Sequence, residues 1–274
     1  MSTVLSPDGT RISYGSFGRA EGDPLLMLMG LGIDRWGWLR QRGALGARYR
    51  CIAPDNRGTG LSDKPEDGYS LELMAEDAIA VLDHAGIGSA HVMGASMGGA
   101  IAQILAARHP ERVRSLTLAC TAGRLHTWRR QLLTEWLELL ENEGRTTFAR
   151  ENLRWVVGAR HLRRLWPAAA LIAPLATRAP VRGIRGHIQA LLDVDPASYE
   201  ALGTLTAETL VMTGSQDILT PVADAEELAE RIPGARLEIV LGAAHGFMVT
   251  RSAHFNRKVL AFLESSTKAS RGLV

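Results

Sequence analysis

The sequence predicts an α/β fold in which helices cover both faces of a mostly parallel sheet. Short apolar segments alternate with helical segments through residues 1–122 and again after about residue 205. The apolar segments are continuous, which is typical of strands buried on both faces. Between residues 124 and 195 an irregular helical pattern replaces this alternation. We therefore expect one α/β core, residues 1–122 and 204–274, with a helical lid inserted as residues 123–203.

In the first half of the chain the predicted elements have local signals. A turn at Asp8-Gly9 predicts a hairpin between strands at residues 3–5 and 11–16. Ser70 is a suitable N-cap for a helix that ends at His84, because its hydroxyl can accept a hydrogen bond from a free backbone N–H. The other predicted elements are strands at residues 25–29, 50–53, 91–93 and 113–119, and helices around residues 35–47 and at 97–108.

The alternation returns in the last third of the chain. Prolines at positions 167, 174 and 180 interrupt the helical middle segment, and strand patterns follow it. The predicted elements are strands at residues 209–213 and 236–240 and helices at 222–231 and 253–263. These strands complete the sheet begun in the first half.

Composition excludes several classes of protein. The 274 residues carry a formal net charge of +2 and 46% hydrophobic residues, which is ordinary for a globular protein. No apolar run reaches the ~18 residues of a membrane span, and no secretory leader precedes the first strand. The two cysteines, Cys51 and Cys120, lie in apolar strands and fit a reducing compartment. We expect a cytoplasmic protein that acts on a small-molecule substrate and has no nucleic-acid or membrane partner. Assembly as a homo-oligomer stays open.

Ser96 is the candidate nucleophile. It is the central residue of Gly94-Ala-Ser-Met-Gly98, a G-x-S-x-G pattern that is weak when it occurs alone. Here it lies between an apolar strand and a helix, which is the setting of a nucleophile elbow. A strained turn of this kind needs small neighbours, because the backbone passes close on both sides. The alternative is a glycine-rich turn that only joins strand to helix.

His245 and Asp217 are the candidate base and acid. An activated serine needs an imidazole within hydrogen-bond reach and a carboxylate that fixes the imidazole tautomer. Both residues follow predicted strands, so they belong to the carboxyl edge of the sheet, where ligands bind in open α/β folds. Singly, each could be a helix cap or a solvated loop residue. The chain order Ser96, Asp217, His245 is the order of a triad in this architecture.

Two backbone N–H groups are candidates for an oxyanion hole. Met97 begins the helix after the nucleophile, and Leu31 lies between Gly30 and Gly32 after an earlier strand. The same glycines could suggest a dinucleotide loop, but Arg35 occupies the position of its third glycine. No phosphate-binding loop or metal-ligand pattern is evident, so no metal is expected.

Together these motifs resemble the α/β-hydrolase superfamily, closest to its enol-lactone hydrolase and esterase-like branch. The similarity covers residues 1–122 and about 205–265. It is carried by the segment from Asp55 to Ser62, the elbow, and the segments around Asp217 and His245. The resemblance implies an eight-stranded sheet, a lid after the sixth strand and no cofactor. It also implies that Asp55 and Arg57 are structural and form an ion pair. The chain departs from its relatives in having Met29-Gly30 where they usually carry His-Gly.

The lid segment is basic and rich in tryptophan. Residues 124–195 hold twelve arginines and seven acidic residues, a charge of +5, whereas the remainder carries −3. These arginines could attract an anionic substrate, but solvated helix faces are the favoured interpretation. The predicted substrate-pocket residues are Gly30, Gly32, Trp128, Trp136, Trp155 and Phe247.

These observations predict a cofactor-independent serine hydrolase that cleaves an ester or lactone bond of a small apolar or amphipathic substrate through an acyl-enzyme. Two alternatives stay open. The same triad could perform carbon–carbon or thioester hydrolysis, or a cyclisation in secondary metabolism. The fold could also act as a ligand sensor with negligible turnover.

Overall fold

The computed structural model describes residues 1–157 and 179–270, so residues 158–178 of the predicted lid lie outside the described part of the chain. Within that part, eight strands form one sheet in the order β1-β2-β4-β3-β5-β6-β7-β8. The pairs β1–β2 and β2–β4 are antiparallel and the other neighbours are parallel. The strands are β1 (Ser2–Leu5), β2 (Arg11–Gly18), β3 (Pro24–Leu28), β4 (Arg50–Pro54), β5 (Ala90–Ala95), β6 (Val113–Ala119), β7 (Glu208–Gly214) and β8 (Arg236–Val240). The predicted eight-stranded, mostly parallel sheet is confirmed.

Helices connect the strands and cover both faces of the sheet. Those of the core are α1 (Arg42–Gly46), α2 (Leu71–His84), α3 (Met97–Arg108), α7 (Val222–Arg231), α8 (Phe247–Thr250) and α9 (Ser252–Ser270). Between β6 and β7 lie α4 (Thr127–Val156), α5 (Val181–Leu192) and α6 (Ala197–Ala201). Short 3-10 helices span Arg35–Trp38, Pro110–Arg112 and Leu202–Thr204. None of the described helices is both long and apolar enough to cross a membrane.

Successive side chains of the central strands point to opposite faces of the sheet, and each face has its own apolar core. Leu26 and Leu28 of β3 pack with α2, α3 and α7 in one cluster. Leu25 and Met27 pack with α1, α8 and α9 in the other. All four side chains are fully buried, and burial of each contributes roughly 1.5–3 kcal/mol. This two-sided burial explains why the strands read as continuous apolar runs.

The start of α2 follows its predicted cap, whereas the predicted helix at residues 35–47 is not continuous. Ser70 Oγ accepts a hydrogen bond of 3.0 Å from the Leu73 N–H. In contrast, the segment after β3 forms a 3-10 helix and then the short α1. Gly37 packs tightly in this segment, since a Cβ added there would lie 2.5 Å from Met29 Cε. Glycines at 37, 43 and 46 also lower its helix propensity.

Asp55 and Arg57 are both buried, but the predicted ion pair between them is wrong. Asp55 accepts hydrogen bonds from the Arg35 backbone and guanidinium at 2.9 and 2.8 Å. Arg57 instead donates to Asp77 at 2.7 and 2.8 Å and to Asp8 at 2.7 Å. The two side chains therefore fasten the same loop to different parts of the fold.

The inserted helices have an apolar core of their own. Leu133 and Trp136 of α4 are buried against Ile184 and Ile188 of α5. Helix α4 is interrupted at Gly144, whose φ of +80° lies in the left-handed region that favours glycine. The predicted insertion after the sixth strand thus consists, in its described residues, of helices that pack over the carboxyl edge of the sheet.

Candidate active site

The parallel strands end at a common edge, and each is followed by a loop that carries candidate residues. The strand register pairs Leu28 with Gly94, Ala119 with Ala95 and Met212, and Gly214 with Val240. The loops after β3, β5, β6, β7 and β8 consequently lie side by side.

Ser96 occupies a sharp turn between β5 and α3. Its φ of +54° and ψ of −123° are unfavourable for a residue with a side chain. A Cβ added to Gly94 would lie 2.2 Å from the Gly98 oxygen, and one added to Gly98 would lie 2.1 Å from the Leu28 oxygen. Only glycine fits either position. These contacts and the hydrogen bond from Ser96 N–H to the Ala119 oxygen, 2.9 Å, hold the strained turn in place.

Close backbone packing joins the loops that carry Asp217 and His245. A Cβ on Gly214 would lie 2.3 Å from the Ala243 oxygen, so glycine is required at the end of β7. The Gln216 N–H donates to that same oxygen at 2.8 Å. The His245 Nδ1 lies 2.9 Å from the Asp217 Oδ2. Because the carboxylate accepts, Nδ1 carries the proton and Nε2 remains an acceptor.

Asp217 is almost completely enclosed and has a full set of donors. Its Oδ1 accepts from the backbone N–H groups of Leu219 and Thr220, both at 2.9 Å, and its Oδ2 accepts from Thr220 Oγ1 at 2.8 Å. Burial raises the pKa of this carboxyl, but His245 and the Thr220 hydrogen bonds outweigh it and hold the pKa below its usual value. Asp217 is therefore ionised at neutral pH.

A cavity of about 580 Å³ lies between the sheet edge and the inserted helices. Ser96 and His245 both line it, as do Leu31 and Met97. Within the described residues, neither the Leu31 N–H nor the Met97 N–H donates a hydrogen bond. Most of the lining is apolar, and the lining residues Trp36, Leu39 and Val249 are also exposed to solvent. They mark the side on which the cavity is open.

The predicted pocket residues divide into two groups. Gly30 and Trp136 line the cavity. The other four, Gly32, Trp128, Trp155 and Phe247, are not among the described lining residues, because each packs elsewhere. The exposed Trp128 lies under the Arg129 guanidinium, and the guanidinium carbon is 4.6 Å from the centre of the Trp128 ring. Trp155 packs edge-on against Trp136. Phe247 is fully buried against Phe255, and Gly32 is buried with its N–H bonded to His187.

Cys120 also lines the cavity, beside the nucleophile turn. It is fully buried in a positive-φ conformation, with φ of +43°. Burial and the Asp217 charge raise the pKa of its thiol far above the usual range. The thiol stays protonated at neutral pH and is a poor nucleophile.

One cluster of side chains has the donor types of a metal site. In the described residues, the ligand atoms of His126, Asp224 and Glu227 lie within 4.8 Å of one another. Arg124 contacts Glu227 at 2.7 Å, and Arg129 donates to Asp224. Two guanidinium groups already neutralise the carboxylates, so the cluster is an ion-pair network that joins α4 to α7.

Comparison with known proteins agrees with the fold described above. A sequence profile of the alpha/beta hydrolase fold matches residues 23–252. The chain belongs to this family. This hydrolase is 33% identical over 251 residues to a protein of Caulobacter sp. strain K31 that carries the name carbamate hydrolase RutD, a match that covers 87% of this chain and 90% of RutD. The predicted family is therefore confirmed.

Two enol-lactonases are also similar to this hydrolase. The 3-oxoadipate enol-lactonase 2 of Acinetobacter baylyi is 29% identical over 268 residues, which cover 95% of this chain and 96% of the relative. The crystal structure of the enol-lactonase from Burkholderia xenovorans LB400 superposes with a TM-score of 0.87 at 26% identity, and covers 96% of this chain and 100% of that one. The relatives thus differ in the bond they act on, while all are hydrolases.

Three residues at the site give no signal in the sequence. Thr220 donates to Asp217 from the same loop, but a lone threonine resembles many others. Arg129 lines the cavity and donates to the Leu219 oxygen at 3.0 Å. His187 bonds to the loop after β3 from the distant helix α5. The contacts of Arg129 and His187 join segments far apart in the chain, whereas the Thr220 contact is local.

Proposed function

We propose that this hydrolase cleaves an ester or lactone bond by nucleophilic catalysis at Ser96. The observation that carries the proposal is the hydrogen bond between His245 and Asp217, in which the imidazole lines the same cavity as a serine in a strained elbow. A strained nucleophile, an oriented imidazole and free N–H donors are the parts required for acyl transfer.

In the acylation step, Ser96 Oγ attacks the substrate carbonyl carbon and its proton passes to His245 Nε2. The imidazolium that forms is stabilised by the ionised Asp217, which does not itself take the proton. The carbonyl oxygen becomes an oxyanion and accepts hydrogen bonds from the Leu31 and Met97 N–H groups. Collapse of this intermediate breaks the bond to the leaving oxygen, which takes the proton from His245.

In the second half of the reaction, water releases the acyl group. His245 accepts a proton from the attacking water, and the resulting hydroxide adds to the acyl carbon. When the second intermediate collapses, the bond to Ser96 breaks and the proton returns to its oxygen. The net change is the addition of one water across the ester bond, so no cofactor enters the reaction.

The cavity also limits the substrate. Its volume of about 580 Å³ falls in the range of sites for drug-sized molecules. Leu133, Leu153, Val156 and Met248 contribute apolar lining around the nucleophile. A small ester or lactone with apolar groups on the acyl or leaving side fits this lining.

Ser96→Ala tests the proposal, with Ser16→Ala as a matched control because Ser16 is an exposed serine on β2. Both variants should fold, and only Ser96→Ala should lose labelling by a fluorophosphonate probe and turnover of para-nitrophenyl butyrate. Equal labelling of Ser96→Ala and the parent would refute the assignment. Stoichiometric labelling of a parent that turns over no ester or lactone would instead refute ester cleavage and leave carbon–carbon hydrolysis or a ligand sensor.

A further inference from the structure

His187 connects the inserted helices to the loop that follows β3. Its imidazole is fully buried on α5. Nδ1 accepts a hydrogen bond of 3.1 Å from the Gly32 N–H, and Nε2 lies 2.7 Å from the Arg57 carbonyl oxygen. An imidazole nitrogen that accepts a hydrogen bond has no proton, so the proton is on Nε2, which donates to Arg57. Both ring nitrogens are therefore satisfied in the neutral form.

Glycines place α5 close enough for these bonds. A Cβ added to Gly183 would lie 2.1 Å from the Gly58 oxygen, and one added to Gly186 would lie 2.4 Å from the Tyr69 ring. Gly58 itself has φ of +88° and contacts Gly183 in return. The helix thus packs directly on the backbone of the Arg57–Gly58 loop, and the position of the His187 ring is fixed by that contact.

The loop held by His187 is a tight turn next to the nucleophile. The Ile33 N–H donates to the Gly30 oxygen at 3.3 Å, which closes a β-turn with Gly32 in its third position at φ of +68°. Within a trans peptide the C=O and N–H point in opposite directions. Because the Gly30 carbonyl is directed to Ile33, the Leu31 N–H is directed away from the turn. Gly30 lies against Ser96, since a Cβ added there would be 3.1 Å from the Ser96 Cβ.

We propose that His187 is a positioning residue for the oxyanion hole: its bond to Gly32 fixes the turn that aims the Leu31 N–H at the reacting carbonyl. This inference rests on the proposed function of Ser96 and Leu31. The central peptide of this turn joins Leu31 to Gly32, whereas the Leu31 N–H lies in the preceding peptide and changes its direction only when the turn as a whole shifts against Ser96. The Gly32 N–H lies in the central peptide, so the acceptor on α5 anchors the turn in its place beside Ser96 and with it the direction of the Leu31 N–H.

Two conservative variants separate this role from a merely structural one. In His187→Asn the amide oxygen can take the place of Nδ1 and accept from Gly32, while the bond to Arg57 is lost. In His187→Gln the amide nitrogen can take the place of Nε2 and donate to Arg57, while the bond to Gly32 is lost. Each variant removes one hydrogen bond, and only the glutamine variant releases the turn.

The expected result is a fall in kcat with KM nearly unchanged. Loss of a whole oxyanion donor costs ~10²–10³-fold in kcat, so a displaced donor in His187→Gln should cost about 10- to 100-fold for para-nitrophenyl butyrate. His187→Asn should keep kcat within about threefold of the parent. A trifluoromethyl ketone, which forms an oxyanion on Ser96, should lose affinity for His187→Gln by the same factor as kcat. Equal effects of the two variants, or parental kcat in His187→Gln, would overturn the inference.

A second variant covers the case in which His187→Gln does not fold. Gly183→Ala keeps the imidazole but pushes α5 from the Gly58 oxygen, and it should lower kcat while KM stays close to the parental value. Gly43→Ala is its control, because a Cβ there meets nothing within 4 Å. Parental kcat in Gly183→Ala would contradict the proposal. Turnover by Ser96→Ala would instead refute the proposed function itself, so the two failures are distinguishable.

Discussion

Two buried aspartates seven residues apart should respond in opposite ways to the same substitution. Asp217 bonds to His245, whereas Asp224 in the first turn of α7 pairs with the buried Arg129. Replacement by asparagine removes the charge and keeps the shape in both cases. We expect Asp217→Asn to lose activity with a modest change in stability, and Asp224→Asn to lose stability and keep its activity.

The magnitudes follow from the partners. At Asp217 an asparagine can present its NH₂ group to His245 Nδ1, which favours the wrong imidazole tautomer and should lower kcat by ~10⁴-fold, as in a protease triad. At Asp224, the interaction of the carboxylate with the helix dipole alone would contribute at most about 1 kcal/mol to the free energy of unfolding. Since Arg129 is 7% exposed, removal of its counter-charge leaves a buried cation and should cost about 3 kcal/mol or more.

The assay needs kcat and the free energy of unfolding for each variant. Turnover of para-nitrophenyl butyrate should be measured well below the thermal midpoint, so that a loss of folded enzyme does not imitate a loss of rate. Urea unfolding then gives the stability difference. If Asp224→Asn lost the rate while Asp217→Asn kept it, the assignment of the acid and the interpretation of the loop around it would be wrong.

Two further predictions concern pH and charge. Burial, with the Arg114 charge at His91, lowers the pKa of His91 and His187 to about 4, so the unfolded chain binds more protons between pH 6.5 and 4. The free energy of unfolding should therefore fall by about 2 kcal/mol per histidine from pH 7.5 to 5. Urea unfolding should show this fall, and about half of it should be absent in His187→Asn. A free energy of unfolding that stays constant over this pH range would contradict the burial argument. Arg124 and Arg129 line the cavity but are paired with Glu227 and Asp224. A carboxylate-bearing ester and its methyl-capped analogue should thus have similar kcat/KM at low and high salt, and a salt-sensitive preference for the anion would contradict the argument that these ion pairs neutralise the two arginines.

Sequence patterns predict the core because its signals are local. A strand buried on both faces is a short continuous apolar run, as in Leu25–Leu28 of β3. The patterns at residues 113–119 and 236–240 also predict β6 and β8 with the bounds that the structure shows. The Ser70 cap needs only the first turn of its own helix. Gly94 is likewise fixed by a local contact, because a Cβ there would lie 2.2 Å from the Gly98 oxygen of the same turn.

Pairings between distant segments could not be predicted in this way. Asp55 and Arg57 are two residues apart and opposite in charge, yet their partners are Arg35 and Asp77, twenty residues away in each case. Which tryptophans reach the cavity depends on the face that α4 presents, and the interruption at Gly144 changes that face between Trp136 and Trp155. Composition gives the number of aromatic rings in the lid but no indication of their direction.

The contact between Gly183 and Gly58 has a consequence for redesign of this hydrolase. Gly183 has no room for an added methyl group, and Gly58 combines contacts of 3.0 Å with a φ of +88° that disfavours any side chain. The seam between α5 and the core can therefore accept little variation in volume. The cavity wall supplied by α4 is different, because Leu133 and Leu153 face open space that larger or smaller side chains can fill or enlarge. Libraries that seek new substrates should therefore diversify the wall and leave the glycine seam intact.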